Sequence, residues 1–142
     1  MGYSIGQVAK KTGLTAHTLR YYEKEGLLPF VQKSGSGLRV FSDSDLGWLA
    51  MIECLKETGM PLKGIKQYID WYIEGDSSLA KRLEMFKKQQ EKLREQEGLI
   101  KKNMQMIQYK INLYNLAVKL GSLEKANEDE ALQQERNKLY PD

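Results

Sequence analysis

With 142 residues, 41% of them hydrophobic and 29% charged, the chain has room for about one to one and a half ordinary domains and the composition of a soluble protein. No apolar run approaches the ~20 residues of a membrane span. The opening Met-Gly-Tyr-Ser-Ile-Gly also lacks the basic and apolar regions of a secretory signal, so a cytoplasmic location and no membrane partner are expected. The net charge of +3 is unevenly spread: residues 1–40 carry six cations against two carboxylates (+4), and residues 123–142 carry three against six (−3). A basic front suits phosphate binding and an acidic end suits solvation, although scattered surface charge produces similar tallies. Cys54 is the only cysteine and His17 the only histidine, so no intrachain disulfide, no metal site and no cofactor are expected.

Ser4-Ile5-Gly6-Gln7 is a Ser-x-x-Gln capping box opening a first helix, with Ile5, Val8 and Ala9 as its buried stripe. Thr12-Gly13-Leu14 makes a tight turn, and Thr15 is a good N-cap for a second helix that a left-handed Gly26 would close. Leu19 faces inward, while His17, Thr18, Arg20 and at least one of Tyr21 and Tyr22 stay outside, with Thr15, His17 and Thr18 the candidates for base-edge contacts. Guanidinium, hydroxyl and phenol groups on one exposed face can bond phosphates and base edges. Two short helices around a glycine turn are the helix-turn-helix arrangement, or else a generic helical hairpin. A DNA-reading second helix is the expectation.

Leu27-Leu28-Pro29 ends the helical region, because proline pushes its predecessor out of the helical basin. Phe30-Val31-Gln32 and Leu38-Arg39-Val40-Phe41 read as short strands around the turn Lys33-Ser34-Gly35-Ser36-Gly37, a small hairpin of wing type. Lys33 and Arg39 supply its cations. Ser42-Asp43-Ser44-Asp45 caps a third helix with its apolar face at Leu46, Leu49, Ile52 and Leu55, ending at Thr58-Gly59. Pro61 suits the first position of a fourth helix running to about Ile73, with Lys63 and Lys66 on its polar side.

From Leu79 the apolar positions step alternately by four and three to Val118, and ten of twelve are apolar, interrupted by Gln90 and Glu97. That spacing argues for a coiled coil about 60 Å long, whose narrow stripe needs a second copy to cover it. The spacing leaves parallel and antiparallel pairing open. Beyond Gly121 the chain is acidic, with a short helix expected within Leu123–Leu139 and fraying at Tyr140-Pro141-Asp142. The organisation expected is residues 1–74 as a DNA-binding domain, 77–120 as a dimerisation helix and 121–142 as an acidic tail. The fold class is mostly α, a winged helix-turn-helix followed by a long helix.

Ser4-Ile5-Gly6-Gln7-Val8-Ala9, Thr18-Leu19-Arg20-Tyr21-Tyr22-Glu23-Lys24-Glu25-Gly26-Leu27-Leu28, and Arg39-Val40-Phe41 followed by Asp45 closely resemble the MerR family of bacterial transcriptional regulators, over roughly residues 2–120. The resemblance implies a homodimer joined by an antiparallel coiled coil. Two winged domains would grip double-stranded promoter DNA with a long spacer, and distorting that spacer would let RNA polymerase engage both promoter elements. Arg20, Tyr21 and Tyr22 match the family's DNA-contacting trio, Arg39 its wing arginine and Lys66 its basic residue on the second helix pair. For Tyr22 a core aromatic with a surface hydroxyl remains the alternative; for Lys66, a solvated helix charge.

Metal-sensing relatives carry cysteines near the end of the dimerisation helix, where Lys119–Lys125 has none, and the large ligand domain of drug-sensing relatives has no room in 142 residues. The remaining resemblance is to a single-cysteine subgroup responsive to reactive aldehydes or nitrosative stress, with Trp48, Ile52, Cys54 and Gly59 in the matching pattern. Cys54 is thereby a candidate effector sensor, against the alternative of a small buried hydrophobe. The competing functional class is an effector-independent architectural or excisionase-like DNA binder. An enzyme is not expected, since no nucleophile–base pair or phosphate-cradling loop is present.

Overall fold

In a computed structural model, residues 2–140 are described. Helices α1 (Ile5–Thr12) and α2 (Ala16–Lys24) precede strands β1 (Gln32–Lys33) and β2 (Arg39–Val40). Helices α3 (Asp43–Glu57) and α4 (Leu62–Glu74), a 3-10 turn (Asp76–Ser78) and the 42-residue α5 (Leu79–Leu120) follow. Two short helices, α6 (Leu123–Asn127) and α7 (Glu130–Leu139), complete the order. The chain divides into two compact units, one up to Gln89 and one from Gln90. The expected fraying of Tyr140-Pro141-Asp142 concerns two residues, Pro141 and Asp142, that lie outside the described ones.

Local chemistry sets the helix starts in the first unit. Ser4 Oγ accepts the Gln7 amide at 3.2 Å while Gln7 Oε1 accepts the Ser4 amide at 2.8 Å, a complete capping box. Thr15 Oγ accepts the Thr18 amide at 3.0 Å, and Ser42 and Asp45 form a second reciprocal box at 2.9 and 3.1 Å. Gly26, at φ +80°, ends α2 in the left-handed region that L side chains avoid. Pro61 differs from expectation by one position: it is the N-cap, extended at ψ 154°, and Leu62 is the first helical residue.

Val8, Leu19, Tyr22, Leu27, Phe41, Leu49, Ile52, Ile65 and Ile69 meet in one core. It joins α1–α4, and truncating any of its isoleucines to alanine carries a cost of about 2–5 kcal/mol. The two-residue strands pair antiparallel, Gln32 with Val40 and Lys33 with Arg39. Such a ribbon is too short to stand alone. Tyr3 extends it through two backbone bonds to Phe41, at 2.7 and 2.9 Å. Phe30 stacks on Trp48 at 5.3 Å and Trp48 meets the edge of Tyr72 at 4.7 Å, tying the approach to the wing onto α3 and α4. At the far end of α3, Gln89 Nε2 donates to the Thr58 carbonyl at 2.9 Å and to its hydroxyl at 3.1 Å.

Tyr22 is placed among these core residues, only 1% exposed, which departs from a DNA-facing position. Its hydroxyl donates to Glu53 Oε1 at 2.6 Å and accepts from Lys56 Nζ at 2.9 Å. The ring is buried because Leu19 and Tyr22, three apart on α2, share the face toward α1 and α3. Burial, then the bond to Glu53, pushes the phenol above its ordinary value; donating to Tyr22 holds the Lys56 ammonium above its own.

In the second unit Tyr109, Leu113 and Ala117 of α5 are covered by Ala126 and Leu132 of the two short helices. Ser122 and Asp129 cap those helices through the Lys125 and Leu132 amides. The acidic stretch thus holds two helices where the sequence suggested one. Along α5, all ten apolar seam residues from Leu79 to Val118 are between 37% and 82% exposed. Among the described residues no helix is long and apolar enough to cross a membrane.

The Tyr22 network makes one prediction. Tyr22→Phe keeps the ring and deletes the hydroxyl, with an expected loss of about 1 kcal/mol at neutral pH in chemical denaturation. Both shifts are upward, so the folded state holds these two protons more tightly than the unfolded chain does. Their contribution is complete below the unfolded values near about pH 10 and is lost as pH rises through the folded ones. The variant's stability is therefore expected to fall less steeply above about pH 10 than that of the unmodified chain.

Candidate nucleic-acid interface

The exposed face of α2 is built from side chains left over after the cap and the core have taken theirs. Thr15 is committed to the cap, and its hydroxyl also donates to Thr18 Oγ at 2.9 Å. Thr18 is half-buried; its hydroxyl accepts that bond, which leaves its own proton without a protein acceptor among the described residues. His17 and Arg20 are exposed, and Tyr21 is 45% exposed. Arg20 has no carboxylate partner among the described residues, and the same holds for Lys10 and Lys11 in the last turn of α1 and for Lys24 in the last turn of α2. A guanidinium without a partner keeps five donors for an incoming acceptor.

The wing presents Lys33, exposed and without an ion-pair partner among the described residues. Its turn is held by the Ser34 amide on the Leu38 carbonyl at 2.7 Å and the Gly37 amide on the Ser34 carbonyl at 2.9 Å, with Gly37 at φ +84°. Arg39 behaves differently from Lys33. Half-buried, it forms an ion pair with Glu23 of α2, so it ties the wing to the second helix. For Arg39 to reach a phosphate, that anion must compete with the Glu23 carboxylate.

Lys66 is exposed on α4, 2.9 Å from Asp70. Its stem crosses the end of α2: a Cβ added at Gly26 would lie 2.8 Å from Lys66 Cε. The absent side chain at Gly26 is what lets Lys66 lie beside the α2 terminus. The structure therefore gathers Thr15, His17, Thr18, Arg20 and Tyr21 on α2, with Arg39 and Lys66 joined to that helix through Glu23 and Gly26. Tyr22 stays beneath the surface, and its single proton is given to Glu53.

Cys54 is exposed on α3, where the sequence allowed a buried alternative. Its carbonyl accepts the Thr58 amide at 3.3 Å, and Thr58 is the residue that Gln89 grips. Sequence reasoning missed the Gln89–Thr58 brace and the Glu53–Lys56 pair holding Tyr22. The partners are 31 to 34 residues apart, and only the i, i+3 spacing of Glu53 and Lys56 was readable locally. Among the described residues no group of three or more His, Cys, Asp or Glu side chains is placed to hold a metal ion.

Comparison with known proteins agrees with this geometry. Residues 3–70 match the MerR HTH family of regulatory proteins. An uncharacterized HTH-type transcriptional regulator of Haemophilus influenzae is 41% identical over 127 residues, 89% of this chain and 94% of its own. The HTH-type transcriptional regulator AdhR of Bacillus subtilis is 37% identical over 90 residues, 63% of this chain and 64% of its own. Among solved structures, HiNmlR, a MerR family regulator lacking the sensor domain and bound to promoter DNA, superposes with a TM-score of 0.75 at 41% identity. That match covers 88% of this chain and 99% of HiNmlR. Identity of this order, sustained through the wing and well into the long helix, exceeds what a shared helix-turn-helix would require, and the chain belongs to the MerR family of regulatory proteins.

Proposed function

We propose that the chain is a homodimeric, sequence-specific DNA-binding regulator that grips a long-spacer promoter with two winged units. The observation that carries this reading is the α2 face itself: Arg20, Lys24 and the neighbouring Lys10 and Lys11 are cations without carboxylate partners among the described residues, set on a helix-turn-helix. The likeness to HiNmlR, whose structure holds promoter DNA, supports it. Residues 1–74 are the DNA-binding part and 77–120 the dimerisation helix, with its apolar seam closed by a second copy in antiparallel pairing. Thr15, His17, Thr18, Arg20, Tyr21, Lys33, Arg39 and Lys66 are the DNA-facing set. Most of them position the backbone, and specificity comes partly from the energy of deforming the spacer. RNA polymerase then meets a promoter whose two elements have been brought into register.

Arg20→Ala tests the DNA-facing assignment. Loss of one phosphate clamp is expected to weaken binding to the gene's upstream DNA roughly tenfold and to lower the salt slope of log K by about one, for specific and random duplexes alike. Fluorescence anisotropy across a salt series reads both quantities; an unchanged slope contradicts a phosphate contact.

Cys54 is the proposed switch. Alkylation or nitrosation of its exposed sulfur adds bulk one helical turn before Thr58, the residue that Gln89 of α5 holds. Displacing that brace alters how α3 meets the start of α5. Cys54→Ala is therefore expected to abolish any aldehyde-dependent change in transcription in vitro while leaving DNA affinity within about twofold, since position 54 lies outside the contact set. A full electrophile response in that variant removes Cys54 from the switch. An effector-independent architectural binder is the second reading, and it predicts promoter binding without stimulated transcription in every condition.

A further inference from the structure

The end of α5 and the two short helices enclose a cleft that DNA binding does not use. Its volume is about 520 Å³, inside the range of about 300–1,000 Å³ common to small-molecule sites. Tyr114 and Leu123, both exposed, supply aromatic and apolar wall above a floor of buried Tyr109, Leu113 and Leu132. Lys110 and Arg136 line the same space. Neither has a carboxylate partner among the described residues.

The placement of charge in this segment is selective. Glu124, Glu128, Asp129, Glu130 and Glu135 all belong to the same stretch of chain, yet no carboxylate among the described residues lines the cleft. The remaining polar lining is neutral, the amides of Asn127, Gln133 and Asn137 and the phenol of Tyr114. Lys110 Nζ lies 5.8 Å from the Tyr109 ring centre, so its charge rests against an aromatic face where a counter-ion is absent. Two cations sharing one cleft without an acid repel each other, and an anion between them relieves that repulsion. We propose that this cleft binds a small organic anion with an apolar, planar body, such as an aromatic carboxylate. Its carboxylate lies between Lys110 and Arg136, and its ring packs on Tyr114 and Leu123. Because Lys110 is on α5 and Arg136 on α7, the ligand bridges the long helix and the terminal one. Occupancy thus stabilises the packing of the short helices, by a route that involves neither Cys54 nor DNA.

The test is titration of the full chain with 1-naphthoate by calorimetry. One saturable site per chain is expected. Lys110→Gln and Arg136→Gln, both at exposed positions, should each weaken it roughly tenfold or more, as loss of a charge-assisted bond requires. Arg94→Gln, elsewhere on α5, should leave it unchanged. The neutral 1-naphthalenemethanol should bind at least about tenfold more weakly than the acid, and inorganic phosphate, which lacks the ring, should also bind more weakly. Absence of saturable binding overturns the proposal. So does an affinity untouched by both glutamine variants, or equal affinity for the alcohol or for phosphate.

Discussion

Ten apolar side chains of one helix, from Leu79 to Val118, are exposed in the single chain. Burying a side chain of leucine size is worth about 1.5–3 kcal/mol, so this stripe represents a large free energy that the chain folded alone does not collect. Its own short helices leave it open: α6 and α7 cover a neighbouring face of α5, at Tyr109, Leu113 and Ala117, and approach the seam at Tyr114. The helix therefore has two apolar faces in its second half. One is satisfied within the chain; the other is exposed, and is the face that the proposed dimer covers. If the seam closes antiparallel, the length of α5 sets how far apart two copies of α2 stand, and DNA spacing becomes a property of the coiled coil.

Each part of the proposed DNA-facing surface is held in place by a different contact. The start of α2 is held by the Thr15 cap, its inner face by Leu19 and Tyr22, and its end by Gly26. Glu23 and Gly26 then connect the helix to Arg39 of the wing and Lys66 of α4. Two peripheral cations of the proposed contact surface, Arg39 and Lys66, are thus joined to the helix at its centre. Arg20 and Lys33 are the exceptions, and their lack of an ion-pair partner among the described residues is what equips them to meet an external one.

Features decided by neighbours in sequence were legible in advance. The Ser4–Gln7 capping box, the Thr15 cap and the left-handed Gly26 depend on residues a few positions apart, and all appear as read; Ser42 was legible as a cap, and its reciprocal bond with Asp45 was not. The wing was legible as a hairpin, but its strands are shorter than the apolar runs suggested, because Tyr3 supplies part of the pairing from outside the hairpin. Tyr22 was ambiguous for a clear reason: an aromatic ring with a polar tip suits either a surface or a core edge. Glu53 and Lys56, which decide between them, come from another helix. Cys54 could not be placed from its own neighbours, and its exposure follows from how α3 is turned by Leu49 and Ile52. The two terminal helices were hidden for a similar reason. Only Ala126 and Leu132 are buried from them, too sparse a pattern to show what they pack against.

The dependence of everything else on the exposed seam can be measured as molecular mass in solution, by sedimentation equilibrium. The chain as it stands should sediment as a dimer. Ile107→Glu, which places a charge within the seam at a residue that belongs to neither buried core, should shift it to a monomer that keeps its helical content. A monomeric parent chain, or a dimer indifferent to the substitution, would contradict the account.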